Sequence, residues 1–113
     1  MDVRLQPLRI PTGWHVEYNN GLWEIDPVVD SIPVEDRWWI FKQDMLQMTH
    51  PRFNRLLDVG WYPEGDVANG HYGLVVYEGD FKGRLLHKFE TRDRLALVGE
   101  IERLLALVCS GEL

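Results

Sequence analysis

The C-terminal end of the chain carries the feature that most constrains the fold, a helix with a single apolar stripe. Over residues 92–109 apolar side chains recur every three or four positions, which is the α-helical period. Thr91 or Asp93 can cap the start, and Gly111 marks the end. One stripe covers one apolar surface, so the preceding residues must supply a sheet face. The stripe consists of Leu95, Val98, Ile101, Leu105 and Val108, widened by Leu97 and Leu104.

The middle of the chain predicts three strands. Residues 55–62 alternate apolar side chains (Leu57, Val59 and Trp61) with a second set on the opposite face (Asp58, Gly60 and Tyr62). A glycine inside a strand indicates a bulge or a close approach by another group, which we expect at Gly60. Residues 72–78 and 84–90 then predict a hairpin joined by the loop 79–83.

Residues 14–26 predict another hairpin. Asn20-Gly21 supplies the positive φ angles of a tight turn. One face of this hairpin would be apolar, and the other would set two carboxylates opposite each other, which disfavours the pairing by a few tenths to about 1 kcal/mol. That arrangement is a mild indication of a basic partner. Alternatively, Asn19-Asn20 form the turn, or a bulge shifts the register, and the clash disappears. The predicted pairs are Tyr18 with Trp23, Val16 with Ile25, Glu17 with Glu24 and His15 with Asp26.

Residues 34–48 fit two interpretations. Their apolar side chains recur at helical spacing, whereas the run Trp38-Trp39-Ile40-Phe41 is typical of a strand. We predict a short helix or irregular turn over residues 34–41. A strand over residues 44–49 then follows and pairs, through residues 50–54, with the next strand.

Together these segments predict an α+β fold. It is a meander-like antiparallel sheet of about six strands with one long C-terminal helix packed on one face. The links are short, and short links join antiparallel strands. A chain of 113 residues predicts a single domain over residues 1–113, and 45% hydrophobic residues suffice for an ordinary core.

The spacing of reactive side chains argues against several function classes. The four histidines (His15, His50, His71 and His87) and Cys109 show no zinc-ligand spacing, so no metal and no cofactor are expected. No nucleophile lies beside a base, so no catalytic residue and no enzyme activity are predicted. The basic residues are scattered, which argues against nucleic acid. Neither a signal peptide nor a run of about 18 apolar residues is present, and one cysteine fits a reducing compartment; we expect a cytoplasmic protein with no membrane contact.

Acidic residues are unevenly placed along the chain, whose net charge is −6. Residues 10–36 and residues 56–81 together hold eleven acidic residues and no lysine or arginine. Segregation of this kind produces a lobed electrostatic field that steers a basic partner. A solvated acidic surface with chance clustering explains the pattern equally well.

Short runs spread over residues 12–108 carry a resemblance to a known family. They are Thr12-Gly13-Trp14, Tyr18-Asn19-Asn20, Glu24-Ile25-Asp26-Pro27, Gln43-Asp44-Met45-Leu46-Gln47, Leu57-Asp58-Val59-Gly60-Trp61-Tyr62-Pro63 and Leu86-His87-Lys88-Phe89-Glu90-Thr91-Arg92-Asp93. With these runs the chain resembles small bacterial immunity proteins, the cognate inhibitors of polymorphic toxins, including those of contact-dependent growth inhibition systems. The run from Leu57 to Pro63 is the most specific part.

The resemblance implies a small cytoplasmic protein that forms a heterodimer with a toxin domain and blocks it. Such toxins are often nucleases with basic clefts, which would suit the acidic segments. The family's toxin-contacting residues are not fixed by a motif, so none is transferred to this chain. We predict instead an acidic surface with aromatic anchors. Its residues are Glu17, Glu24, Asp26, Asp30, Glu35, Asp36, Trp38 and Trp39.

Two other classes of function remain open at this point. The chain could be a small enzyme or ligand-binding domain that uses His15 and nearby carboxylates, which a deep cavity containing His15 would favour. It could also be a subunit of a larger assembly, which a large exposed apolar patch would favour.

Overall fold

The computed structural model describes every residue from Met1 to Leu113 and confirms an α+β architecture. Five strands form one open antiparallel sheet whose spatial order equals the chain order, so the sheet is a meander. The strands are β1 (His15–Asn19), β2 (Leu46–His50), β3 (Arg55–Tyr62), β4 (His71–Glu78) and β5 (Leu85–Thr91). Two short 3₁₀ turns (Val29–Ser31 and Val34–Asp36) and the one-turn helix α1 (Arg37–Ile40) precede β2, and the long helix α2 (Arg94–Cys109) follows β5.

The sheet has five strands rather than six because the predicted hairpin of residues 14–26 does not form. Strand β1 pairs with β2 instead, with His15 opposite Thr49 and Val16 opposite Met48. Leu22 is fully buried in the core, which directs the chain away from β1 after the Asn-Gly pair. Residues 22–26 therefore make only one isolated bridge, between Leu5 and Trp23. None of the four predicted cross-strand pairs is present.

The prediction for residues 34–48 is confirmed in outline. A 3₁₀ turn and α1 occupy residues 34–40, and β2 begins at Leu46. Strand β2 turns through residues 51–54 into β3, and Asn54 adopts a φ of 57° in that turn. The hairpin of β4 and β5 also forms as predicted.

One face of the sheet is covered by α2 and holds the core. Leu57, Val59 and Trp61 are fully buried on this face, as predicted, but Asp58 and Gly60 of the opposite set are buried too, and only Tyr62 is exposed. Asp93 caps α2, since its carboxylate accepts hydrogen bonds from the backbone amides of Leu95 and Ala96. Leu95, predicted to lie in the apolar stripe, is 66% exposed. At about 100° per residue it points roughly 160° away from the buried Leu97, so the helix turns it to solvent.

The segment between β1 and β2, residues 20–45, covers one end of this core. The two ends of this segment lie side by side, and the backbone amide of Asn20 donates a hydrogen bond to the Met45 carbonyl at 2.8 Å. Phe41 packs against Trp61 with ring centroids 4.7 Å apart. This segment carries all but one of the predicted partner-binding residues.

Candidate functional site

Two carboxylates of the predicted acidic surface form ion pairs with arginine side chains of the same chain. The Arg94 side chain at the start of α2 donates to Asp26 at 2.9 Å. Glu24 lies 3.7 Å from the Arg4 guanidinium. Their negative charge is therefore partly compensated before any partner arrives.

Two further carboxylates are also engaged. Asp36 accepts a hydrogen bond from the Trp39 indole at 3.0 Å and lies 3.7 Å from the terminal amine of Met1. Glu17 lies on β1, apart from the other five in the sequence, and accepts a hydrogen bond from the Thr49 hydroxyl at 2.6 Å. The two remaining carboxylates, Asp30 and Glu35, are exposed and form neither an ion pair nor a side-chain hydrogen bond.

The two adjacent tryptophans of α1 have opposite environments. Trp39 is partly buried and packs edge-on against Trp23, with ring centroids 5.8 Å apart. Trp38 is 68% exposed, and Val34, one helical turn earlier, is 73% exposed. Trp38 is thus the aromatic side chain of the predicted surface that is available to a partner, while Trp39 mainly supports the local fold.

His15 does not meet Asp26, because the hairpin that would have paired them is absent. His15 is exposed on the edge strand β1 opposite Thr49, whereas Asp26 contacts Arg94. None of the three cavities in the structure includes His15. Nowhere do three His, Cys, Asp or Glu side chains gather in a way that could hold a metal ion.

The face of the sheet opposite α2 holds a cavity that the sequence did not reveal. Its volume is about 310 Å³. We call it the Asp58 cavity; its polar and aromatic lining comes from Asp58, Tyr62, His71, Lys88 and Glu90. Three cross-strand rows bring these residues together: Asp58 with Val75 and Lys88, Gly60 with Gly73 and Glu90, and Tyr62 with His71.

Paired glycines create the concave shape of this surface. Gly60 on β3 faces Gly73 on β4, so neither strand places a side chain there. A β-carbon on Gly60 would overlap the Gln43 carbonyl oxygen, which confirms the predicted close approach. A β-carbon on Gly73 would lie 3.1 Å from the Tyr62 ring. The Tyr62 ring therefore lies against the glycine surface and forms one wall of the cavity.

Asp58 is the least expected part of this site, since this charged residue is only 8% exposed. One carboxylate oxygen, Oδ2, accepts hydrogen bonds from the Tyr18 hydroxyl and the Gln47 amide, both at 3.3 Å. The other oxygen, Oδ1, accepts none. Burial raises the pKa of Asp58, the two hydrogen bonds lower it, and the nearby Asp44 raises it further.

No basic side chain compensates Asp58. Lys88 lies in the same cross-strand row, but its ammonium contacts Glu90 at 3.1 Å. His71 also lies 3.4 Å from Glu90. Burial, followed by the negative charge of Asp58, raises the pKa of the Tyr18 hydroxyl to about 12. Tyr18 therefore stays a neutral hydrogen-bond donor at physiological pH. Because Lys88 and His71 both contact Glu90, Asp58 has no counter-ion.

The sequence contained one signal for this site. Asp58 stands within the apolar sequence Leu56-Leu57-Asp58-Val59 of a predicted strand. A carboxylate in that setting needs partners, but the contributions of Gly73 and Glu90 emerge only from the strand register.

No helix of the structure has both the length and the apolar character needed to cross a bilayer. Comparison of the chain with known protein families, with curated proteins and with solved structures finds no match.

Proposed function

We propose that this chain is an immunity protein that binds and neutralises a cognate toxin domain in the cytoplasm of the cell that makes both. The proposed partner has a basic surface, as a nuclease has. The observation that carries the proposal is the exposed Trp38 beside uncompensated carboxylates. The resemblance of the run from Leu57 to Pro63 to immunity proteins supports the same function.

Exposure of Trp38 is energetically unfavourable for an isolated chain, because 68% of this large apolar residue stays in water. Tryptophan is among the residues most enriched in the energetic centres of protein interfaces. Val34 extends the apolar area, and Asp30 and Glu35 lie on the same segment with their charges free. An aromatic anchor with a charged rim is how tight, fast-forming interfaces are built.

The backbone of Trp38 lies beside the turn that follows β3. A β-carbon on Gly65 would lie 3.7 Å from the Trp38 Cα, so the turn after β3 touches α1. Gly65 follows Tyr62 by three residues, which span roughly 10 Å at most. One partner can therefore contact Trp38 and the wall of the Asp58 cavity together.

Co-expression tests the proposal. The chain is expressed with a tagged C-terminal fragment of the protein encoded by the gene immediately upstream, and the complex is purified and its stoichiometry measured. We expect a one-to-one heterodimer in which the activity of the fragment is blocked. Absence of a complex would overturn the proposal.

A matched pair of variants tests the surface. Trp38→Ala should weaken the complex by about 2 kcal/mol or more, which is about 30-fold in Kd. Phe81→Ala removes another exposed aromatic side chain, 52% exposed in the loop between β4 and β5, and should leave the Kd unchanged. Equal effects of the two substitutions would show that Trp38 is not an anchor.

A further inference from the structure

We propose that the Asp58 cavity is a cation site that receives an arginine side chain of the partner protein. This inference rests on the proposed function, because it assigns a binding role to a second part of the same surface. The chemical class of the ligand is a guanidinium group carried on a protein chain.

The first argument is the unpaired oxygen of Asp58. The residue is buried, with 8% of its surface exposed, and it lines the cavity. Both donors to the carboxylate bind Oδ2, whereas Oδ1 accepts no hydrogen bond within the chain and is not fully buried, so a ligand can reach it. A buried carboxylate without a counter-ion is unfavourable, and a charged donor entering the cavity would relieve that cost.

The direction of the two donors is the second argument. Tyr18 and Gln47 belong to β1 and β2, on one side of β3. The cavity lies on the other side, over β4 and β5, where Gly73 contributes no side chain. The hydrogen bonds therefore hold Asp58 in place while leaving space beside it for a ligand.

Charge around the cavity favours a cation. Asp58 and Glu90 are acidic, and Asp44 is close enough to Asp58 to affect its pKa. Lys88 is the one lysine or arginine in the lining, and it contacts Glu90. The lining thus keeps an excess of negative charge that an added cation would compensate.

The shape of the cavity favours arginine over lysine. The Tyr62 ring forms a wall, and a planar guanidinium stacks on an aromatic ring while its edge donates to a carboxylate. An ammonium is a compact point charge that is more strongly hydrated and gains less from such a wall. The volume of about 310 Å³ leaves room for the aliphatic stem as well as the charged group.

Titration with small probes tests the site itself. N-acetyl-arginine amide is added to the isotope-labelled protein, and amide shifts are followed by NMR; N-acetyl-citrulline amide, which is uncharged, and N-acetyl-lysine amide serve as comparators. We expect saturable shifts centred on Asp58 and Gly73, with arginine binding more tightly than lysine and citrulline not binding. Equal binding of citrulline, or shifts located elsewhere, would overturn the proposal.

Asp58→Asn is the informative variant, since asparagine keeps an oxygen to accept from Tyr18 and Gln47 but loses the charge. It should weaken binding of the arginine probe about tenfold or more. Asp80→Asn makes the same change on the exposed loop after β4 and should leave binding unchanged. Retained binding by folded Asp58→Asn would refute the site.

The toxin complex separates failure of this inference from failure of the proposed function. In a heterodimer that forms, Asp58→Asn should raise Kd at least about 30-fold. A stable heterodimer that tolerates Asp58→Asn would overturn the arginine inference and leave the immunity function standing. Binding of the arginine probe without any heterodimer would support the cation site and overturn the immunity function.

Discussion

The Tyr18 hydroxyl donates a hydrogen bond to Asp58 Oδ2 at 3.3 Å, reaching from the edge strand β1 across β2 to the central strand β3. Gln47, in the intervening strand, donates to the same oxygen. Three strands thus share one polar row, in which Tyr18, Gln47 and Asp58 are cross-strand neighbours. This row fixes the orientation of a carboxylate whose other oxygen is free.

Asp58 should make the protein less stable at neutral pH than it would be with a neutral side chain. Burial raises the pKa of Asp58 in the folded state above the unfolded value of about 3.9. The contribution of Asp58 to the free energy of unfolding is therefore fully present below the unfolded pKa and is lost as pH rises through the folded pKa. The asparagine side chain in Asp58→Asn is neutral at every pH. The free energy of unfolding of this variant should therefore exceed that of the wild type at about pH 7, and the difference should shrink towards about pH 4.

Urea denaturation of both proteins between these pH values measures that difference, because the other titrating groups cancel in the comparison. Asp80→Asn should show no such pH-dependent gain. A less stable Asp58→Asn protein at neutral pH would mean that the charge of Asp58 is compensated in a way absent from the structure.

Tyr18 should titrate well above an ordinary tyrosine. Its pKa is raised to about 12 by burial and then by the charge and hydrogen bond of Asp58. In Asp58→Asn the pKa should fall part of the way towards its usual value of about 10, because burial remains. NMR of tyrosines labelled at the ring Cζ, followed to high pH, measures this pKa. An unchanged pKa of Tyr18 in Asp58→Asn would mean that the charge and hydrogen bond of Asp58 do not contribute to the shift.

The two paired glycines should respond differently to alanine. A β-carbon on Gly60 overlaps the backbone oxygen of Gln43, so Gly60→Ala should destabilise the fold by about 1–3 kcal/mol. At Gly73 the nearest atoms belong to the Tyr62 ring at 3.1 Å, a side chain that can shift, so Gly73→Ala should change stability by less than about 1 kcal/mol. Chemical denaturation of the pair provides the measurement, and similar losses at both positions would contradict the assignment.

Charge reversal at Asp30 and Glu35 should slow association with a basic partner. Both carboxylates lack internal partners, so their field is available for steering, and we expect a roughly three- to tenfold lower association rate at low ionic strength. The effect should shrink as salt is raised. Stopped-flow association at two salt concentrations tests this, with charge reversal at Glu112, which follows the end of α2, as the control. Equal rates for wild type and variant would exclude the acidic segment from steering.

Local sequence signals predicted those elements that depend on local periodicity. The alternation through Leu57, Val59 and Trp61 predicted β3 and the residues that face the core, and the spacing of Ile101, Leu105 and Val108 predicted the buried side of α2, although Leu95 of the same stripe is exposed. These predictions succeeded because the buried side of each element follows from its own repeat.

The predicted hairpin at Asn20-Gly21 failed for the opposite reason. The turn signal was local, but burial of Leu22 and the pairing of Val16 with Met48 decided where the chain went. The Asp58 cavity was missed on similar grounds. It combines residues of β3, β4 and β5 that become neighbours only when the strand register is known.

The difference between the two glycines has a consequence for partner discrimination. Gly60 is fixed by the backbone beside it, whereas Gly73 meets only an adjustable ring. The size of the residue at position 73 therefore sets how much of a ligand can enter, while the strands around it keep their positions. A single change there would alter selectivity among closely related partners without a new fold, and this gives a direct route to engineering variants with changed specificity.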